Sequence, residues 1–233
     1  MPAHTDPLAH RNRTPDRTGL VLLGQRSKGM AGTHQTRLKA IQEHLATFAG
    51  GMFALGSKIF DRPMDLETAI ALTETAVWCY QSTATGLMPE IMQFYAPDRV
   101  DRWEYVGLEN GRTLAKQKGT PLGVEHQADR EYKGRPESIE SVFYMYRITG
   151  DPSWQDHGWR MFTAWVKHAI TSFGFANVEN VNTDPPPLGD IQESFVLAGE
   201  TTYVLQVCTR GHELMLYDFN RNPQVLLLAF LAS

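Results

Sequence analysis

Cysteine is scarce. Only Cys79 and Cys208 occur among 233 residues, too few for a disulfide framework and without the spacing of a metal site, so both read as buried thiols. Long hydrophobic runs are missing too: the longest, Val225 to Ala232, falls short of the ~20 residues a membrane helix needs. Residues 1–19 carry charges and prolines but no apolar stretch. As written they form no secretory signal and are expected to be irregular. Nor is there a basic excess. Lys+Arg 22 against Asp+Glu 26 gives a net charge of -4, and the scattered cations offer no face to a phosphate backbone, which excludes nucleic acid as a partner. What is present is 42% hydrophobic and 21% charged residues, the make-up of a globular chain long enough to bury a sizeable core and not of a disordered or collagen-like one.

Apolar spacing predicts helices. Leu45, Phe48, Met52, Leu55 and Ile59 recur at steps of three and four, which places them on one face of a first helix, expected inward. Leu66, Ile70, Thr73, Val77 and Tyr80 share a face of a second helix that begins after Pro63, with Asp65 and Glu67 in its first turn, where the helix dipole favours acids. A third helix is expected from Pro136 to about Ile148 with Ile139, Val142, Phe143 and Tyr146 inward. Gly150-Asp151-Pro152 then turns the chain into a fourth, with Trp159, Phe162, Val166 and Ile170 on one face. After Pro185-Pro186-Pro187, a fifth starts near Asp190 with Ile191, Phe195 and Ala198 in phase. Residues 96–134 are charged, glycine-rich and aperiodic, so they read as a long surface connection. No run alternates convincingly as a strand. The predicted class is all-α, built from helical hairpins, each of which buries its face against its neighbours.

The chemistry gathers at the start of the third helix, in Arg135-Pro136-Glu137-Ser138-Ile139-Glu140-Ser141. Proline suits a first turn because its missing N–H would have had no helical partner there. Glu137 therefore meets a positive helix end beside Arg135, which favours its charged form and suits a general base rather than an acid. Glu140, three residues on, lies near the same face. Acidic residues in first turns commonly do no more than offset the dipole, and that plain reading also covers Glu193, while Glu90 after Pro89 reads as a solvated loop residue. Trp154, Trp159 and Trp165 are read as core or groove residues. Asn12-Arg13-Thr14 is a glycosylation sequon.

Five segments change those odds: HLATFAGGMFALG (His44 to Gly56), TGLMPE (Thr85 to Glu90), RPESIESVFYMYRITGD (Arg135 to Asp151), GWRMF (Gly158 to Phe162) and ESFVLAGET (Glu193 to Thr201). Together, and in this order, they resemble glycoside hydrolase family 47, the calcium-dependent class I α-1,2-mannosidases, over roughly residues 20–220. The resemblance implies part of an (α/α)7 barrel and inverting hydrolysis of terminal α-1,2-linked mannose on mannose-rich N-glycans. It implies Glu137 as general base, Arg135 as a sugar-contacting residue, Glu90, Glu140 and Glu193 as acidic pocket residues, and His44 in the pocket wall. It also implies an endoplasmic reticulum, Golgi or secreted setting. An inverting enzyme needs a base for water on one face of the ring and an acid for the leaving oxygen on the other. A calcium ion can fix hydroxyls and water among several carboxylates.

The chain departs from the family pattern at several places. The residue assigned as general acid, with further pocket carboxylates, belongs to an N-terminal half that this chain does not contain, so hydrolysis by the chain alone is not expected. Where the family reads F-N-T-E, with the threonine as direct calcium ligand, this chain has Phe219, Asn220, Arg221 and Asn222, so no metal-ligating residue is assigned. A divergent apolar tail occupies 221–233. The cysteines of a disulfide present in many members fall at Thr47 and Ala76. Gly199 reads as a one-residue insertion in the family's ESF-x-L-A-E-T word; an extra residue rotates every later residue by about 100° in an α-helix, and glycine is a poor helix former, so a break there is expected. The alternative function is a non-catalytic mannose-glycan-binding protein or helical scaffold. Exposed hairpin faces of a partial barrel are expected to self-associate.

Overall fold

The computed structural model describes residues 9–14, 17–27, 37–95, 112–113 and 115–200. β1 (Ala9–Thr14) and β2 (Arg17–Leu23) pair antiparallel, so β1 lies within the stretch expected to be irregular. β3 (Gln25–Ser27) pairs with β4 (Arg37–Lys39). β5 (Ile41–Glu43) leads into a 3-10 turn (Leu45–Phe48), α1 (Ala49–Ile59) and α2 (Pro63–Gln81). β6 (Ile91–Phe94) and β7 (Val124–Asp129) join β5 in a three-stranded sheet of order β5-β6-β7. α3 (Glu137–Thr149) and α4 (Ser153–Ala169) form the second hairpin; after it come the short pair β8 (Ile170–Thr171) and β9 (Gly174–Phe175) and a π-helical turn (Val196–Glu200).

The strands correct the all-α expectation. β5 has three residues and β6, which alternates in burial, only four, too few to stand out as a period, while the two register shifts leave extra residues in β7 and erase its alternation. The same sheet corrects the reading of 96–134 as a surface connection: Val124, Gln127 and Tyr132 are buried. Residues 96–111 and 114 of that stretch, and Cys208 and 221–233, lie outside the described residues.

The first helix is inverted relative to expectation. Leu45, Met52 and Ile59 are 52%, 50% and 71% exposed, and the buried side is Ala49, Gly50, Gly51, Ala54 and Ser57. Small residues let α1 approach both α2 and α3 closely. A Cβ at Gly51 would lie 2.9 Å from Tyr144 Cδ2, and the Gly51 N–H donates to Ser141 Oγ at 3.0 Å. Side-chain volume therefore decides which face turns inward. α2 agrees with expectation, with Thr73, Val77 and Tyr80 buried and Leu66 and Ile70 packed at the edge.

α3 buries Ile139, Val142 and Met145 and ends at Gly150, whose φ of 71° is the left-handed cap glycine adopts without steric cost. The Ser153 N–H then donates to Asp151 Oδ1 at 2.9 Å, starting α4. In α4 the deepest face is Trp154, Gly158, Met161, Trp165 and Ala169. Trp159, Phe162, Val166 and Ile170 flank it, half-buried. Trp165 stacks on Phe175 with centroids 3.8 Å apart, and burying such a ring contributes about 3 kcal/mol.

The fifth helix begins later than expected. Ile191 is exposed and belongs to no helix, Ala198 is exposed, and the turn from Val196 is π-helical. A π-turn holds one more residue than an α-turn, and Gly199 lies within it; the residues after Glu200, where a break would show, lie outside the described residues.

Candidate active site

His44 ends the link from β5 into the 3-10 turn, and its N–H donates to the Glu90 carbonyl at 2.9 Å. That bond brings the start of α1 beside the loop that leads into β6. The Glu90 N–H in turn donates to the Glu131 carbonyl at 2.9 Å. Three chain segments thus meet through backbone bonds alone, and the segment after Glu131 carries Arg135 and Glu137.

Glu137 is the first residue of α3, preceded by Pro136. Its Oε2 lies 3.5 Å from His44 Nδ1, with the His44 side chain fully buried and that of Glu137 20% exposed. The other ring nitrogen, Nε2, is 2.9 Å from Tyr80 Oη. With Glu137 ionised, a neutral His44 carries its proton on Nδ1, facing the carboxylate, and accepts from the Tyr80 hydroxyl at Nε2. The rings of Tyr80 and Tyr132 each meet the imidazole edge-on, with centroids 5.9 Å away. Burial opposes the charge on Glu137, but the His44 ring, Glu137's own backbone N–H and the Arg135 guanidinium outweigh it and hold the carboxyl below the usual glutamate range.

The second pair is Arg135 with Glu90. Arg135 Nε donates to Glu90 Oε2 at 2.7 Å. On its other side the guanidinium carbon sits 5.1 Å from the centroid of the Phe195 ring, a cation–π arrangement. Arg135 is thereby held from both sides. Glu90 is buried, not solvated, and its Oε1 has no hydrogen-bond partner among the described residues; the same holds for His44 Nδ1 and Glu137 Oε2. Buried polar atoms are nearly always partnered in folded proteins. His44 Nδ1 and Glu137 Oε2 face each other at 3.5 Å, so among the described residues Glu90 Oε1 is the atom of these two pairs left without a counterpart.

Register between the pairs comes from hydroxyls. Thr47 Oγ1 donates to the His44 carbonyl at 2.6 Å and lies 2.8 Å from Ser138 Oγ. Ser141 Oγ donates to the Thr47 carbonyl at 2.7 Å. Thr47 thus ties the 3-10 turn to α3 one residue beyond Glu137, while Ala76 is buried in α2.

The structure brings His44, Glu90, Arg135 and Glu137 together. Glu140 lies half-buried one turn further along α3, its N–H on the Pro136 carbonyl. Glu193 is half-buried just ahead of the π-turn, its carbonyl accepting from the Val196 N–H at 3.1 Å, and no described side-chain contact joins it to the other four. Tyr132, Thr47 and the ring contact of Phe195 carry no local signal; only the adjacency of Tyr132 to the RPE word hints at it. Among the described residues no three His, Cys, Asp or Glu side chains converge on a point where a metal would sit, and Phe219 to Asn222 lie outside them.

Comparison with known proteins is consistent across sequence and structure. The sequence profile of glycosyl hydrolase family 47 matches residues 3–215. A mannosyl-oligosaccharide 1,2-alpha-mannosidase of Arabidopsis thaliana is 32% identical over 198 residues, 78% of this chain and 30% of that protein. Human mannosyl-oligosaccharide 1,2-alpha-mannosidase IB is 31% identical over 223 residues, 93% of this chain and 30% of its relative. The endoplasmic reticulum mannosyl-oligosaccharide 1,2-alpha-mannosidase of Mus musculus is 31% identical over 214 residues, 90% and 28%. In fold, the chain is similar to an alpha-1,2-mannosidase from Trichoderma reesei, with a TM-score of 0.68 at 23% identity, covering 88% of this chain and 39% of that one. The chain spans about a third of the length of these relatives.

Proposed function

The chain belongs to glycosyl hydrolase family 47, and from that membership we propose that its site recognises terminal α-1,2-linked mannose on mannose-rich N-glycans and carries the base side of an inverting glycosidase. The observation that supports this most is Glu137, seated on the N-terminus of α3 against His44 and held below the usual glutamate range. A carboxylate of that kind is ionised at neutral pH and able to take a proton from water as it attacks the anomeric carbon. Tyr80 holds His44, and His44 holds the carboxylate. Arg135, fixed by Glu90 and Phe195, keeps guanidinium N–H groups other than that of Nε to donate to sugar hydroxyls. Glu140 and Glu193 belong to this reading as outer acidic residues of the pocket.

Inversion also demands an acid that protonates the leaving oxygen from the opposite side. In this reading that group lies outside the chain, so the chain binds terminal mannose and hydrolysis requires the remaining part of an (α/α)7 barrel. Calcium enters the proposal as the family's cofactor, to organise sugar hydroxyls and water in the completed site. The compartment that fits is the one where N-glycans are trimmed; no helix of the described residues is long and apolar enough to cross a membrane.

Calorimetric titration of the chain with α-1,2-mannobiose, alongside proton NMR of the same mixture, tests the reading. Saturable binding that disappears in Arg135→Ala, with no mannose released, is the expected result. Release of β-mannose ahead of its α anomer would show a complete inverting enzyme. Absence of binding to any mannoside would leave the helical-scaffold reading.

A further inference from the structure

Three consecutive residues ahead of Glu137 rest on the same short segment. Gly134 has φ +70°, and a Cβ there would stand 2.8 Å from Val196 Cγ2. Arg135 lies over the ring of Phe195. At Gly199 a Cβ would stand 2.7 Å from Pro136 Cγ and 2.9 Å from Pro136 Cβ. These contacts are tighter than real Cβ atoms make, and a pyrrolidine ring cannot swing aside as a flexible chain end does. The close approach depends on the π-helical turn Val196–Glu200, because the extra residue widens the turn and carries Gly199 against Pro136. π-turns of this kind recur at functional sites.

We infer that the segment Phe195–Gly199 is a clamp that positions Glu137, with Gly199 the residue whose missing side chain lets Pro136, and hence the first turn of α3, sit where Glu137 faces His44. Gly199 touches neither ligand nor reacting atom; it is a positioning residue. The leverage is short. Pro136 is covalently joined to Glu137, whereas the His44 ring is held through Nε2 by the Tyr80 hydroxyl of α2. Pressure on Pro136 therefore shifts the carboxylate relative to an imidazole that stays behind, across a gap of 3.5 Å. Val196, buried under Gly134, does the same from the other side. The inference rests on Glu137 as the proposed base, but its readout does not: the clamp is measured whether or not the chain binds or cleaves a mannoside.

The test tracks the Glu137 carboxyl by carbon NMR in the full chain, assigned by its loss in Glu137→Gln, in three variants. The ionisable groups that face it are His44 and Arg135. In Gly199→Ala the titration midpoint is expected to rise by about half a pH unit with far-ultraviolet circular dichroism unchanged. Adding Pro136→Ala removes the ring that the new methyl strikes and is expected to return the midpoint. Val196→Ala deletes a contact without adding atoms, so it reports even where Gly199→Ala fails to fold, and it is expected to raise the midpoint as well. An unchanged midpoint in folded Gly199→Ala, a shift that Pro136→Ala does not relieve, or an unchanged midpoint in Val196→Ala would overturn the clamp.

Discussion

His44 Nδ1 stands 3.5 Å from Glu137 Oε2 while His44 Nε2 meets the Tyr80 hydroxyl at 2.9 Å, a relay that joins the start of α1, the middle of the core and the tip of α3. Because the folded Glu137 is held below the usual glutamate range, its base form persists to lower pH than that of an ordinary glutamate. Removing the imidazole with His44→Ala should raise its titration, so the ionised form is lost at higher pH during acidification. Carbon NMR of the carboxyl measures it, and a midpoint that does not rise would break the link.

Glu90 and Arg135 form a largely buried pair with a 2.7 Å hydrogen bond. Glu90→Gln leaves the guanidinium without its charged acceptor, and urea unfolding should show a loss of about 1–3 kcal/mol. Arg135→Lys should not be neutral, since the bond is made by Nε and an ammonium cannot both reach Glu90 and lie flat on Phe195.

Thr47 links His44 to Ser138 through one hydroxyl. Thr47→Val keeps the shape and deletes both bonds, leaving Ser138 Oγ short of a buried partner. The expected cost is about 1–3 kcal/mol, read from the urea midpoint at constant slope.

Burial pushes the Cys79 thiol far above its ordinary range, so almost no thiolate exists at neutral pH. Iodoacetamide should leave the Cys79 peptide unmodified in the native chain and label it in denaturant, as mass spectrometry would show.

The outward side of the 3-10 turn, α1 and the start of α2 exposes Leu45, Met52, Ile59, Phe60 and Met64. An apolar surface of that kind associates in water. Light scattering should find self-associated species at micromolar concentration that Met52→Lys with Ile59→Lys returns toward the monomer.

Much of the fold is legible residue by residue. The period of the apolar residues locates α1 to α4, Gly150 marks the end of α3, and Pro136 places Glu137 on a helix N-terminus, all of which depend on neighbours three or four positions away. Glu90 reads as solvated in the sequence because burial by a distant strand leaves no mark on a Pro-Glu dipeptide. Tyr132 is hidden in a glycine-rich, charged stretch for the same reason.

What the sequence determined by itself is local: where helices start and stop, which residues form a stripe, and which carboxylate meets a helix dipole. Tertiary structure alone decided which way the stripe of α1 faces, because periodicity shows that an apolar face exists but side-chain volume at Gly50, Gly51 and Ala54 decides which face a neighbouring helix can approach. It also decided the site, since His44, Tyr80, Glu90, Arg135 and Glu137 meet only when backbone hydrogen bonds bring distant segments together. Gly199, which the sequence offers only as a poor helix former, stands in a π-turn that packs against Pro136. Only the packed chain could decide that, because the outcome depends on what Gly199 touches.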